Sequence, residues 1–159
     1  MHKPPLARNT WYMEDRCATA WKKAAHLAQR VDVRKGRVIY CQGELIEQMY
    51  FVLEGEVELR SVFPDGEAVV FDLLGSNSMF GESAALTGQL SLGTATALKD
   101  CVLLSFKVDD LRAAFPQYPE LALACVQVLA ARQYSYGQRL LNMFRSESWG
   151  RVGEFLHRM

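Results

Sequence analysis

The residues best suited to chemistry occupy positions 79–88, Met79-Phe80-Gly81-Glu82-Ser83-Ala84-Ala85-Leu86-Thr87-Gly88. Their order reads as a strand end, a glycine turn and a short helical turn. A glycine leading into a short helix leaves backbone N–H groups without intrahelical partners, and such groups attract an anion. Glu82 stands at the mouth of the turn, where its carboxylate can accept from a ligand hydroxyl. The chemistry on offer is recognition of a small polar ligand.

Other reactive side chains are scattered. Cys17, Cys41, Cys101 and Cys125 form no Cys-x-x-Cys pair, which is poor for zinc or an iron–sulfur cluster and ordinary for reduced thiols. Cys41 and Cys101 read as core thiols, with redox sensing as the alternative. His26 reads as a partly buried histidine of an N-terminal helix, with a ligand role as the alternative. No nucleophile–base pair and no metal-binding constellation is visible, so neither catalytic residues nor metal ligands are assigned.

The elements that must hold the turn follow from the rest of the chain. Its 159 residues suffice for one domain with appendages, and the 50% apolar, 23% charged composition is that of an ordinary globular protein. A net charge of zero argues against a nucleic-acid surface within this span. No apolar run reaches the roughly 20 residues of a membrane span, and the N-terminus lacks a secretion signal. The expectation is a cytoplasmic protein without membrane contact.

Residues 1–10 are polar and proline-containing, and are expected to form a mobile tail. Between 11 and 30, Trp21, Ala24, Ala25, Leu27 and Ala28 recur at helical spacing, predicting one or two helices. From Val31 the period drops to about two. Turns at Lys35-Gly36, Gln42-Gly43-Glu44, Glu54-Gly55, Pro64-Asp65-Gly66 and Lys99-Asp100 punctuate short strands. In Glu56-Val57-Glu58-Leu59-Arg60, Val57 and Leu59 are expected to face a core and the charged residues water. Short strands with turns every eight to twelve residues predict a mainly β, α+β fold with a jelly-roll core and flanking helices.

Asp109 or Asp110 caps a short helix that Pro116 stops. Pro119-Glu120 then opens a long helix to about Arg145, roughly 40 Å if unbroken. Val126, Leu129, Gln133, Tyr136, Leu140 and Met143 fall on one heptad seam, while the row through Val128, Arg132, Ser135 and Arg139 is polar. The seam reads as a parallel coiled-coil homodimer interface with Gln133 as its polar position; the alternative is a helix packed only against its own roll. The expected organisation is a tail at 1–10, a sensing roll with its N-terminal helices at 11–116, and a dimerisation helix at 117–145. Residues 146–159 are the start of a further unit, with Val152, Phe155, Leu156 and Met159 on one face.

Taken together these residues resemble the effector domain of the Crp/Fnr family of bacterial transcription regulators. The resemblance runs over residues 27–159. Its carriers are Lys35-Gly36-x-Val38-Ile39, Gln42-Gly43-Glu44, the run Tyr50-Phe51-Val52-Leu53-Glu54-Gly55-Glu56-Val57-Glu58, Phe80-Gly81-Glu82 and Ala97-Leu98-Lys99-Asp100-Cys101. Residues 150–156 are similar to the start of the family's winged helix-turn-helix, the rest of which is absent from this chain. The resemblance implies a cyclic-nucleotide-binding-like β-roll and an effector-sensing, dimerising role. It also implies DNA binding through a C-terminal domain and RNA polymerase as a further partner. The alternative context is a regulatory domain on a kinase or channel; 151–156 favour the transcription factor.

For a cyclic nucleotide or another small effector, the resemblance implies a site at Phe80, Gly81, Glu82, Ser83 and Ala84. In cyclic-nucleotide-binding members an Arg-Ser pair also grips the phosphate, and its positions fall here on Ser91 and Leu92. The loss of a charge-assisted hydrogen bond, about 1.5–3 kcal/mol or roughly 10- to 100-fold in affinity, predicts weak cyclic-AMP binding. Arg60, Arg112 and Lys107 are the candidate substitutes. Where catabolite-activator-like members present a small hydroxyl pair to the purine, this chain has Tyr136-Gly137. The bulky Tyr136 either fills that space or stacks on a different ligand.

Iron–sulfur sensing needs several closely spaced N-terminal cysteines, and only Cys17 lies there. Haem sensing needs a histidine in the roll, and His2, His26 and His157 lie outside it. A cupin-type enzyme needs two or three histidines on the roll's inner face, which are equally missing. The expected protein is not an enzyme.

Overall fold

The computed structural model describes residues 13–145. The expected tail at 1–10 and the segment 146–159 lie outside the described residues. Helix α1 (Asp15–Lys23) carries Asp15 in its first turn and Lys22 and Lys23 in its last, charges that oppose the helix dipole favourably. Its Cys17, Ala18 and Trp21 are buried on one face. A 3-10 turn, Ala24–Leu27, follows. His26 on this turn is exposed rather than partly buried, because the tighter turn sends its ring outward, edge-on to Tyr118. Its Nδ1–H donates to the Lys23 carbonyl at 3.1 Å.

Eight strands come next: β1 (Gln29–Val33), β2 (Val38–Tyr40), β3 (Gln48–Glu54), β4 (Val57–Val62), β5 (Ala68–Leu74), β6 (Met79–Phe80), β7 (Thr94–Ala97) and β8 (Cys101–Lys107). They pair antiparallel in two four-stranded sheets, ordered β1-β8-β3-β6 and β2-β7-β4-β5. This is the expected α+β jelly roll. As expected, Val57 and Leu59 are buried and Arg60 is exposed, but Glu56 and Glu58 are half-buried, paired with Lys99 and Arg60. The core has two layers. Val52 and Leu103 of the β3–β8 pair face Val57 and Leu59 of β4 between the sheets. Met49, Phe51, Leu104 and Phe106 lie on the opposite face of that pair, where the Phe106 ring meets Trp21 of α1 at 5.2 Å. Small Ala95 and Ala97 of β7, fully buried, let the sheets approach.

Three helices complete the described chain: α2 (Glu82–Thr87), α3 (Val108–Ala114) and α4 (Pro119–Arg145). Proline suits the first helical position of α4, where a missing N–H costs nothing. Leu121, Ala124, Cys125, Val128 and Arg132 form the buried face of α4, which also packs on α1. There Cys17 Sγ donates to Gln127 Oε1 at 3.0 Å. The row that sequence reads as merely polar is therefore the one laid against the roll. Val126, Gln133, Leu140 and Met143 are exposed, Leu129 is half-buried against the core, and Tyr136 turns toward the roll. Cys41 is exposed and Cys17, Cys101 and Cys125 are buried, so only part of the expected core-thiol set is in the core. Among the described residues no helix is long and apolar enough to cross a membrane, and no cluster of three His, Cys, Asp or Glu side chains could hold a metal.

Candidate functional site

The turn that opens α2 is built by its glycine. Gly81 has φ +82, and a Cβ there would stand 3.0 Å from the Gln48 carbonyl oxygen and 3.4 Å from the Tyr50 ring. Both the backbone and the space therefore require glycine. Before it, Phe80 is fully buried, stacking on Tyr50 with ring centroids 5.0 Å apart and lying 6.0 Å from Tyr40. This aromatic wall fixes the back of the turn. The first α2 helical bond runs from Ala85 N–H to the Gly81 carbonyl at 3.0 Å. Amides of the preceding residues start the helix without i−4 partners.

Glu82 is 1% exposed and does not project into open solvent. Arg132 of α4, itself 5% exposed, donates through Nη1 to Glu82 Oε1 and through Nη2 to the Met79 carbonyl. Burial works against the charge on Arg132, but Glu82, then Tyr136 and Asp72, hold its pKa above the ordinary arginine value. A buried guanidinium survives only with such partners. Glu82 Oε2 is buried and accepts no hydrogen bond, so a ligand hydroxyl would reach it only after a neighbouring side chain moves.

A second carboxylate comes from β5. Along the β4–β5 pair Leu59 lies opposite Asp72 but Arg60 lies opposite Val70, leaving Phe71 as an extra residue. Such a bulge re-aims the side chains beside it, and Asp72 and Leu74 are buried inward. Tyr136 O–H donates to Asp72 Oδ2 at 3.1 Å, Arg139 Nη2 lies 3.8 Å from Oδ1, and Arg132 Nε lies 4.0 Å from Oδ2. Arg139 Nη1 also donates to the Phe71 carbonyl at 2.6 Å, and its guanidinium sits 5.5 Å over the Tyr136 ring, a cation–π distance. Burial, then the Asp72 charge, pushes the Tyr136 phenol well above its usual range. Burial and then Glu82 do the same to Tyr40.

The structure thus brings Phe80, Gly81, Glu82 and Ala84 to one place with Tyr136, while Ser83 is exposed and its hydroxyl donates to Glu82 Oε1 at 3.4 Å. Ser91 is buried, but its hydroxyl donates to the Gly93 carbonyl at 2.6 Å; Leu92 is 77% exposed. Neither supplies a cation. Arg60 is engaged by Glu58 at 2.8 Å, and Arg112 by Asp109 at 3.4 Å and the Leu86 carbonyl at 3.1 Å. Of the groups the resemblance asks of a cyclic-nucleotide site, Glu82 and the turn are present, whereas Ser91 and Leu92 supply no guanidinium. The cations in reach are instead Arg132 and Arg139, which sequence reading passed over together with Asp72. Their signals were present: Asp72 is the one charge inside Ala68-Val69-Val70-Phe71-Asp72-Leu73-Leu74, and positions 132, 136 and 139 share one helical face.

Residues 30–118 match the cyclic nucleotide-binding domain family. The chain belongs to that family. A global nitrogen regulator of Synechocystis sp. is 30% identical over 77% of this chain and 55% of its own length. A CRP-like cAMP-activated global transcriptional regulator of Mycobacterium tuberculosis is 27% identical over 80% of this chain and 57% of its own. The crystal structure of the catabolite activator protein of Thermus thermophilus superposes with a TM-score of 0.71 at 27% identity, covering 79% of this chain and 59% of that one. The domain is thus of the Crp/Fnr type, as its motifs imply. This chain spans somewhat over half the length of these regulators.

Proposed function

We propose that the chain is the effector-sensing and dimerising part of a cytoplasmic Crp/Fnr-type transcription regulator and performs no catalysis. The observation that carries this is the buried Glu82–Arg132 pair, which joins the ligand turn directly to the long helix. A hydroxyl-bearing small effector, a cyclic nucleotide among the candidates, seats on Glu82 Oε2 with its anionic group at the amides of the Gly81–Ala84 turn. Whatever binds Glu82 changes what Arg132 holds, and Arg132 moves with α4. Exposed Val126, Gln133, Leu140 and Met143, with Leu129, pair with the same row of a second copy. Rotation of α4 then alters the angle between two helices, and so the spacing of two DNA-reading heads and their approach to RNA polymerase.

The test is a thermal-shift panel of cyclic AMP, cyclic GMP, cyclic di-GMP and small acids on the wild-type chain and on Glu82→Gln. One ligand is expected to stabilise the wild type and to lose that effect in the variant. Stabilisation that is equal in both proteins places the effector elsewhere. Sedimentation at micromolar concentration is expected to show a dimer, and a monomer counts against the paired helices.

A further inference from the structure

Asp72 has no part in the ligand turn, yet it is as deeply buried as the turn's own glutamate. Its carboxylate faces Tyr136, Arg139 and Arg132, spaced on one face of α4, and the neighbouring Phe71 carbonyl takes Arg139 as well. Strand β5 is therefore fastened to α4 at consecutive residues. The charges of this cluster cancel: the carboxylates of Glu82 and Asp72 meet the guanidiniums of Arg132 and Arg139. An anion that enters beside Glu82 finds no surplus positive charge, and an uncompensated buried anion is strongly disfavoured. Were Asp72 to withdraw, the same cluster would carry one positive charge in excess and the anion would complete it.

We propose that Asp72 is a built-in counter-anion that keeps the sensing site closed: it ties β5 to α4 through Tyr136, Arg139 and Arg132, and an anionic effector binds by displacing it. The ligand class is a small phosphate- or carboxylate-bearing molecule whose negative group, at the Gly81–Ala84 turn, draws Arg132 away from Asp72. The bulge at Phe71 lies directly beside Asp72, so the exchange falls where the β4–β5 ladder is already interrupted. This inference rests on the effector-sensing reading above and adds how that site is regulated.

The experiment compares wild type, Asp72→Asn and Tyr136→Phe, with cyclic AMP and inorganic phosphate as probes, read by calorimetric titration. Asp72→Asn keeps the shape and removes the charge, and is expected to bind cyclic AMP about 10- to 100-fold more tightly than wild type, the worth of one charge-assisted contact. Tyr136→Phe keeps the ring, removes one tie and is expected to gain in the same direction by less. It also answers the question if Asp72→Asn fails to fold. Hydrogen exchange in the absence of ligand is expected to quicken together at 68–74 and 129–139 in both variants. A merely structural Asp72 would lower stability and leave anion affinity unchanged or weaker, which overturns the proposal. A wild-type response to an effector with no gain in either variant sinks the gate alone, whereas silence from all three proteins across the full effector panel sinks the sensing reading and the gate with it.

Discussion

Arg132 and Glu82 are 50 residues apart in sequence, and the guanidinium of one donates directly to the carboxylate of the other inside the protein. One residue belongs to the turn that can meet a ligand, the other to the helix whose far face is apolar and exposed. Because both are buried, neither can let go without a replacement partner. The pair acts as a stiff link between site and helix.

Removal of one partner should therefore cost far more than a surface ion pair. Arg132→Met leaves Glu82 buried and uncompensated, and a loss of about 3–5 kcal/mol in denaturant unfolding is expected. The double variant Arg132→Met, Glu82→Gln should recover much of that loss, because no charge is left stranded. A single-variant cost under about 1 kcal/mol, the range of exposed pairs, would show that the pair is not buried in solution.

Two glycines of the same turn should answer substitution differently. Gly81→Ala meets both an unfavourable backbone, φ +82, and the Gln48 carbonyl 3.0 Å from the new Cβ. Gly88→Ala meets only φ +70, with nothing within 4 Å. The left-handed conformation alone costs about 1–2 kcal/mol, so Gly88→Ala should lose about that much and Gly81→Ala more. Equal losses in thermal unfolding would mean that the Gln48 strand yields freely.

The proposed α4 seam can be tested without touching the roll. Val126 is 61% exposed and Leu140 52%, so Val126→Asp and Leu140→Glu should leave the roll's circular dichroism and the Glu82 site intact. In sedimentation these variants are expected to run as monomers where the wild type runs as a dimer. Persistence of the dimer in both would move the interface to another face.

Thiol chemistry reports whether α4 stays on the roll. Burial, with the Glu82 charge behind it, pushes the Cys125 thiol up to about 11, leaving about one thiolate in a thousand at pH 8. Burial also raises Cys101 and Cys17, the latter helped by Glu14. Iodoacetamide at pH 8 should thus label exposed Cys41 first and Cys125 slowest. Comparable labelling of Cys125 would show that α4 opens from the roll on the labelling timescale.

Much of the architecture was legible in the linear chain. Alternation at 56–60, the turn glycines and the proline at 119 report local preferences, and local preferences survive folding when the core agrees with them. The Phe80-Gly81-Glu82 turn was legible for the same reason: a strand end, a left-handed glycine and a helix start are neighbours in sequence. His26 escaped because helical spacing does not show where an α turn tightens into a 3-10 turn, and that change re-aims single side chains.

By itself the sequence determined the roll, its helices and a turn with a carboxylate at its mouth. It also determined that Ser91 and Leu92 offer that turn no cation. Only the tertiary structure decided which charges meet. Asp72, Glu82, Arg132 and Arg139 lie on three separate elements, and no spacing along the chain encodes the distance between a strand bulge and a helix face. That distance is set by the whole core packing around it. In a buried site it also decides whether a carboxylate is open to a ligand or already held by the protein's own arginine.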